Sequence, residues 1–360
     1  MNDAITRGTA GMAGDRAGLR QLGEAEKLFV AGEGGYHTYR IPTLLVTREG
    51  TVLAFCEGRM DGQGDAGKID VLLRRSTDGG RTWGAAVCIA EDGSNTIGNP
   101  CPVQDRDTGV IRLLLCRNTE HGDEKEILAG RAPRDVLAIH SGDDGLTWSP
   151  LRDISESVKR SDWTWYATGP CHGIQLQSGR LLIPCNHAVL DEAAGRSGPY
   201  ISHAIYSDDG GVTWQLGNDA GPHTNECTVA ELEDGSVYLN MRSYHGRNRR
   251  AGSWSRDGGE TWTAPELDEA LVDPVCQGSV LRLADGPMLL SNLASTKRNK
   301  LTARLSADGG RTWDEGLLLR SGPAAYSDLA QTEDGTVLCL YECGDERPYE
   351  RIVLARLDPR

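Results

Sequence analysis

The chain is 360 residues long, with 38 Lys and Arg against 52 Asp and Glu and a formal net charge of -14. That sign disfavours nucleic acid, whose phosphates need a basic field, and an anionic ligand would require a local cluster of Arg working against the long-range potential. Forty-five Gly, eight Trp and only two Phe argue for many tight turns and a few aromatics at fixed posts, not for a helix bundle.

Residues 1–24 read as a Gly/Ala-rich tail with scattered charge, lacking the apolar core of a secretory signal. The ten Cys are spread through apparent strands such as those of Cys56, Cys116 and Cys339, without a C-x-x-C pair. They are expected to be small buried side chains in a reducing compartment, which points to the cytoplasm. Cys171 and Cys185 remain a candidate pair across a hairpin. Nowhere does the chain approach the roughly 20 apolar residues of a membrane-spanning helix. Among the eight His there is no metal-ligand spacing, and no cofactor is expected.

After the tail, the segment Glu26 to Val30 reads as an early strand. A unit then begins at Gly50 (GTVLAFCEGR), in which a Gly turn leads into an apolar strand. The same unit recurs at Gly109, Gly179, Gly235, Gly286 and Gly335, at intervals of 49 to 70 residues. Between these strands the pattern S-x-D-x-G-x-T-W occurs five times without mismatch, at Ser76 to Trp83, Ser141 to Trp148, Ser207 to Trp214, Ser255 to Trp262 and Ser306 to Trp313. Each copy can close a turn: Ser and Asp cap backbone amides, Gly allows positive φ, and Trp fills the space between neighbouring sheets. Six strand units and five turns predict an all-β, six-bladed β-propeller over residues 25–360 as a single domain. The last blade would lack the turn, and Arg351 to Leu357 with Glu26 to Val30 would close the ring.

A polar residue stands seven positions after the Gly in four units: Glu57, Asn186, Arg242 and Glu342. Arg117 and Asn118 stand close to the equivalent place in another. Charged residues in otherwise apolar strands are costly unless paired or solvated in a pocket, so these are expected at one end of the central axis.

With Tyr39-Arg40-Ile41-Pro42 ahead of the first Asp-turn, the chain resembles the sialidase (neuraminidase) family of the non-viral bacterial and animal type, from about Tyr36 to Leu357. The resemblance implies an exo-acting glycoside hydrolase that removes a terminal sialic acid from a glycan or oligosaccharide, with no cofactor. It assigns Arg40, Arg242 and Arg298 as a clamp on the substrate carboxylate, a task suited to planar guanidinium groups. Arg304 is a rival for the third place. Glu342 corresponds to the carboxylate that braces the first Arg, and Arg59 to a further sugar-facing residue.

The resemblance also assigns Tyr326 as nucleophile, with Glu226 as the base that takes its proton. Sialidases use Tyr where other retaining glycosidases use a carboxylate, and a phenol of pKa about 10 needs such a base. Asp65, in the loop Gly58 to Gly67, is the expected acid and base for the leaving oxygen and the attacking water, with Asp61 and Asp70 as rivals. The outcome would be hydrolysis with retention through a tyrosyl-enzyme.

The segment Trp163 to Tyr166 is a candidate pocket wall. His172, His187 and His245 are expected to be structural despite lying near the site in sequence. Where the family often has Gly, Cys171 stands here. A binding module without catalysis, a trans-sialidase and a glycosidase for a related ulosonic acid are the rival readings. The oligomeric state is left open.

Overall fold

The computed structural model describes residues 18–359 apart from 120, 121, 192, 195 and 285. Strands dominate, joined by turns and two short helices, α1 (Glu124–Leu128) and α2 (Ser155–Val158). No described helix is long and apolar enough to cross a membrane.

The strands are laid out as antiparallel meanders. Thr38–Val46 pairs with Val52–Arg59, then Ile69–Ser76, then Val87–Ala90. The next runs Thr96–Gln104, Ile111–Asn118, Arg134–Ser141 and Arg152–Asp153. The third is built on Trp163–Thr168, Leu181–Asp191 and Arg196–Ser207, with two-residue strands at its edges. Thr224–Glu231, Val237–Ser243, Arg249–Ser255 and Glu266–Val272 make the fourth. Ser279–Arg282, Met288–Leu293 and Asn299–Ser306 follow, completed by the first half of the long strand Leu317–Gln331. The second half of that strand opens the last meander, with Val337–Cys343 and Arg351–Asp358.

The edge of the last meander comes from the other end of the chain. Glu26–Val30 lies antiparallel to it, with Val30 opposite Arg351, as expected of a strand that joins start to finish. The expected tail over 1–24 falls mostly outside the described residues; within it, Arg20 and Gln21 already pair with Asp358 and Leu357. Each Gly-led apolar run is the second strand of its meander. Gly50 shows why Gly is placed there: at φ 80° it closes a turn in which its N–H donates to the carbonyl of Thr47 at 2.9 Å.

All five Asp-turns follow a third strand. In the first, Ser76 Oγ donates to Asp78 Oδ1 at 2.7 Å and accepts from Gly80 N at 2.9 Å. Asp78 also accepts from the backbone N–H groups of Arg81 and Thr82 and from the Thr82 hydroxyl at 2.6 Å. Thr is therefore a donor to the turn's carboxylate. The Trp residues lie where expected, between meanders. Trp83 packs among Leu338 and Leu354 of the last meander and Val52 and Leu72 of the first. Trp148 packs among Phe55, Leu73, Leu113 and Leu137 of the first two.

The first strands of the meanders are β1 (Thr38–Val46), β2 (Thr96–Gln104), β3 (Trp163–Thr168), β4 (Thr224–Glu231), β5 (Ser279–Arg282) and β6 (Leu317–Gln331). Hydrogen bonds link them in sequence. Thr43 Oγ1 donates to Pro100 O, Thr168 Oγ1 to Asn99 O and Cys227 N to the carbonyl of Gly169, the residue just after β3. Val280 N donates to Thr228 Oγ1, Leu329 N to Ser279 Oγ, and Leu44 N to Asp328 Oδ2, which returns the series to β1. The result is an all-β fold of propeller type.

Five of these strands also break register at corresponding places: between Arg40 and Thr43, Gly98 and Cys101, Trp163 and Tyr166, Thr224 and Cys227, and Ala324 and Ser327. A bulge bends a strand and re-aims the side chain that it frees. Here it turns successive first strands toward one shared cavity.

The cysteines are free thiols. Cys171 and Cys185 do not pair: each is buried and donates to a backbone carbonyl, so the candidate disulfide is not formed.

Candidate active site

A cavity of about 240 Å³ gathers side chains from the bulged strands and from the loops around them. It contains Arg40, Arg59, Asp65, Glu226, Arg242, Arg298 and Tyr326 together, seven of the eight residues expected from the sequence. The eighth, Glu342, is wholly buried behind Arg40. Five guanidinium groups and four carboxylates line the space. This is the local cationic cluster that an anionic ligand requires in a chain of charge -14.

The bulge at Arg40 is held in a strained form. Ile41 sits at φ 59°, a genuine outlier for a β-branched residue, which costs on the order of 1–3 kcal/mol. Glu342 holds it there: its Oε1 accepts from Ile41 N at 2.8 Å and from Arg40 Nε at 2.7 Å. Burial lowers the pKa of Arg40, but Glu342 together with smaller contributions from Tyr326, Tyr349 and Asp65 outweighs it, so the guanidinium stays charged. Glu342 Oε2 reaches across to accept from Tyr326 N at 3.2 Å. One buried carboxylate thus positions both Arg40 and the bulge that carries Tyr326.

Tyr326, Glu226 and Arg242 form a closed triangle. The phenol donates to Glu226 Oε1 at 2.6 Å, while Arg242 Nη1 donates to Glu226 Oε2 at 2.8 Å and to the phenol oxygen at 3.1 Å. The first distance is that of a charge-assisted O–H···O⁻ bond. Burial raises the phenol pKa, Glu226 raises it further, and Arg242 and Arg40 only partly offset this, so it stays well above the usual value. A neutral hydroxyl bonded to a carboxylate gives up its proton when a bond forms at oxygen, which is general-base activation.

Arg298 completes the cationic side. Its Nη1 donates to the Tyr349 hydroxyl at 2.5 Å, and Arg40 lies 4.0 Å from the centre of the Tyr349 ring. The rival Arg304 instead donates to the Asp314 carbonyl and does not line the cavity. Across from the clamp, Arg59 is buried between Glu57 Oε2, at 2.6 Å, and Asp65 Oδ1, at 2.7 Å.

The Asp65 side chain lines the cavity and is 61% exposed. Partial burial raises its pKa, but Arg59 and Arg40 outweigh this and hold it below the ordinary carboxylate value. Asp70 accepts from Tyr36 at 2.9 Å, and neither it nor Asp61 lines the cavity.

The seven-after-Gly positions separate. Glu57 and Arg242 line the cavity and Glu342 supports it, whereas Asn186 is buried elsewhere. Arg117 pairs with Asp135 and Asp92 away from the site, while Asn118 accepts from Arg134 at 2.5 Å behind the wall. Of the aromatic segment, only Trp165 faces in, with Arg134 4.0 Å from its ring centre; Trp163 and Tyr166 are core residues. His172 bonds Asp328, His187 bonds His203 and His245 packs on His223; none lines the cavity.

Sequence reasoning missed Asn99, Arg134, Glu124, Tyr200, Tyr244 and Tyr349, all of which line the cavity. Glu124 opens α1, whose start carries a readable signal: Asp123 caps Glu126 N at 2.9 Å in an Asp-x-x-Glu pattern.

Comparison with known proteins agrees with this geometry. Residues 50–339 match the BNR repeat-like domain family. The chain is 33% identical to a sialidase of Micromonospora viridifaciens, over 92% of this chain and 54% of that protein. With a Bacteroides fragilis sialidase it shares 32% identity, over 87% of this chain and 61% of that protein. It therefore spans less than two thirds of the length of these two bacterial relatives. Against Sialidase-3 of Mus musculus the identity is 32%, covering 90% of this chain and 92% of the other. The solved structure of Hadza microbial sialidase Hz136 superposes with a TM-score of 0.83 at 29% identity, covering 92% of this chain and 68% of that one. On repeats, fold and full-length likeness alike, the chain belongs to the sialidase family.

Proposed function

We propose that the protein is an exo-α-sialidase that hydrolyses terminal sialic acid with retention through a tyrosyl-enzyme. The meanders would form a six-bladed propeller, residues 25–360 being one catalytic domain with the cavity at one end of its axis. The observation that carries the reading is the 2.6 Å bond from the Tyr326 hydroxyl to Glu226, inside a cavity that also holds Arg40, Arg242 and Arg298.

The three arginines bind the sugar carboxylate, and their charge makes an anionic sugar the preferred ligand. A carboxylate nucleophile would repel that ligand, and a neutral phenol does not. As Tyr326 oxygen bonds the anomeric carbon, its proton passes to Glu226 while Asp65 protonates the leaving oxygen. Water, deprotonated by Asp65, then attacks the anomeric carbon and frees Tyr326, which recovers its proton from Glu226. Asp65 must carry a proton for the first step, and the ion pair with Arg59 opposes this in the unliganded protein. A substrate that draws Arg59 away would raise the Asp65 pKa at the moment when the acid is needed. A cavity of about 240 Å³ is below the range of roughly 300–1,000 Å³ typical of drug-sized ligand sites, which fits a single terminal sugar residue.

The test is release of a fluorescent aglycone from an N-acetylneuraminic acid glycoside by wild type, Tyr326→Phe and Asp65→Ala. Turnover by wild type and its loss in Tyr326→Phe are expected. Asp65→Ala should be slowed by about 10²–10⁴-fold on a poor leaving group. Tight binding without any wild-type turnover would make the protein a lectin.

A further inference from the structure

The second half of β6 carries Tyr326 along an edge. Up to Pro323 the strand also pairs with Asn299–Ser306; from Ala324 onward, among the described strands, it pairs only with Val337–Cys343. Its other edge turns to β5, where Leu329 N donates to Ser279 Oγ. Backbone N–H and C=O groups buried on such an edge must find side-chain partners or stay unsatisfied.

Gln277, two residues ahead of β5, supplies the partner at the position that matters most. Its Oε1 accepts from Ser327 N at 3.0 Å, and its Nε2 donates to Ser327 O and to Pro170 O, each at 2.9 Å. Exchanging an N–H and a C=O bond with one residue is what an opposite residue does in an antiparallel ladder. A side-chain amide thus stands in for a strand. Gln277 is 1% exposed and does not line the cavity.

The segment that presents this amide is itself tightly held. Asp273 Oδ1 accepts from Cys276 N at 2.7 Å, and the wholly buried Arg250 donates to the Cys276 carbonyl at 2.8 Å and to Asp273 Oδ2 at 3.2 Å. Between them Val275 is kept at φ 61°, an outlier for a β-branched residue. Strain of this kind persists where the surroundings over-determine it, and it clusters at working sites.

The consequence falls on Tyr326. A peptide unit is planar, so the bond to Ser327 N fixes the plane that follows Tyr326. The bond from Tyr326 N to Glu342 Oε2, at 3.2 Å, fixes the plane that precedes it. With both planes set, so is the direction in which the ring leaves the backbone. The phenol oxygen lies at the far end of that rigid ring, where a small backbone rotation is magnified.

We propose that Gln277 is a positioning residue for the nucleophile, aiming the Tyr326 oxygen at the anomeric carbon through the Ser327 peptide. The inference rests on the reading of Tyr326 as nucleophile. Because its side-chain bonds go to Ser327 and Pro170, Gln277 acts on the reacting bond and leaves the hold on the carboxylate to Arg40, Arg242 and Arg298.

The test is Gln277→Met, which keeps the length of the side chain and removes all three bonds. Two quantities are read: kcat/KM on an α-sialoside, and the Kd of a thiosialoside, a ground-state analogue whose sulfur link resists cleavage. A displaced nucleophile should cost about 10²-fold in kcat/KM, while Kd stays within about threefold of wild type. A kcat/KM within about twofold of wild type overturns the proposal. So does a Kd that weakens in step with kcat/KM, which would make Gln277 a support for the whole cavity. Tyr326→Phe separates the two readings. If wild type lacks turnover or Tyr326→Phe keeps it, the nucleophile reading falls and Gln277 with it; loss in Tyr326→Phe beside an unimpaired Gln277→Met strikes Gln277 alone. Should Gln277→Met not fold, amide hydrogen exchange in wild type decides. Ser327 N–H should exchange as slowly as the amides of Val337–Cys343, and rapid exchange overturns the proposal.

Discussion

Arg59 shows how a single side chain sets the chemistry of its neighbours. It is buried, it bonds Glu57 through Nε and Nη2, and it turns Nη1 to Asp65 and to the carbonyls of Gln63 and Gly64. It therefore both shapes the loop and keeps Asp65 ionised. Removing its charge while keeping much of its bulk should release Asp65 upward. In Arg59→Met, the limb of the kcat/KM–pH profile assigned to Asp65 should move to higher pH. An unmoved limb would show that Asp65 is not the acid, or that Arg59 does not control it. Glu342→Gln should act on the other half of the site through position rather than chemistry, because Glu342 holds the bulges of both Arg40 and Tyr326 without facing the sugar.

At the scale of elements, the Asp-turn and the bulge divide the labour. The turn fastens each meander at its outer end through one carboxylate. In the third copy Asp209 accepts from Ser207 Oγ, from Val212 N and Thr213 N, and from the Thr213 hydroxyl at 2.6 Å. Partial burial raises its pKa, but these donors outweigh it and bring it to about 2. A depressed folded pKa stabilises above the unfolded value of about 3.9 and is lost as pH falls toward the folded one. Asp209→Ala should thus cost about 1–2 kcal/mol at neutral pH, as loss of a capping side chain does. By calorimetry the difference should shrink below about pH 3; a pH-independent difference would contradict the assignment.

The turns were legible because each is local: five residues at fixed offsets carry their own hydrogen bonds. The bulges were not, because a register break depends on the partner strand. In two of them the trace is a proline within the break, in Ile41-Pro42 and Asn99-Pro100, and no periodicity count detects it. Arg40, Glu226 and Tyr326 were found because the family resemblance supplied them. Asn99 and Tyr349 came into the site only through strand geometry and a loop contact.

At the scale of the molecule, the first strands are tied together by buried polar groups. Asp328 follows Tyr326 by two residues and is fully buried, accepting from Leu44 N in β1, from Ser279 Oγ in β5 and from His172 Nδ1 at 2.9 Å. It ties four meanders beneath the cavity. Burial lowers the His172 pKa, but Asp328 outweighs this and leaves it raised. A raised folded pKa means that the pair stabilises fully below the unfolded value of about 6.5 and fades as pH rises through the folded one. The Tm gap between wild type and His172→Gln should be widest near about pH 6, where a broken buried pair costs about 3 kcal/mol, and narrower at about pH 9. An equal gap at both would mean that His172 is uncharged.

The central claim is that catalysis runs through Tyr326 in two displacements, each inverting the anomeric carbon. The most direct test is proton NMR of the sugar released from an α-sialoside, read before mutarotation. The account predicts the α anomer first, with the β form growing in later. The β anomer as first product would mean a single displacement by water, and would remove Tyr326 from the role its geometry supports.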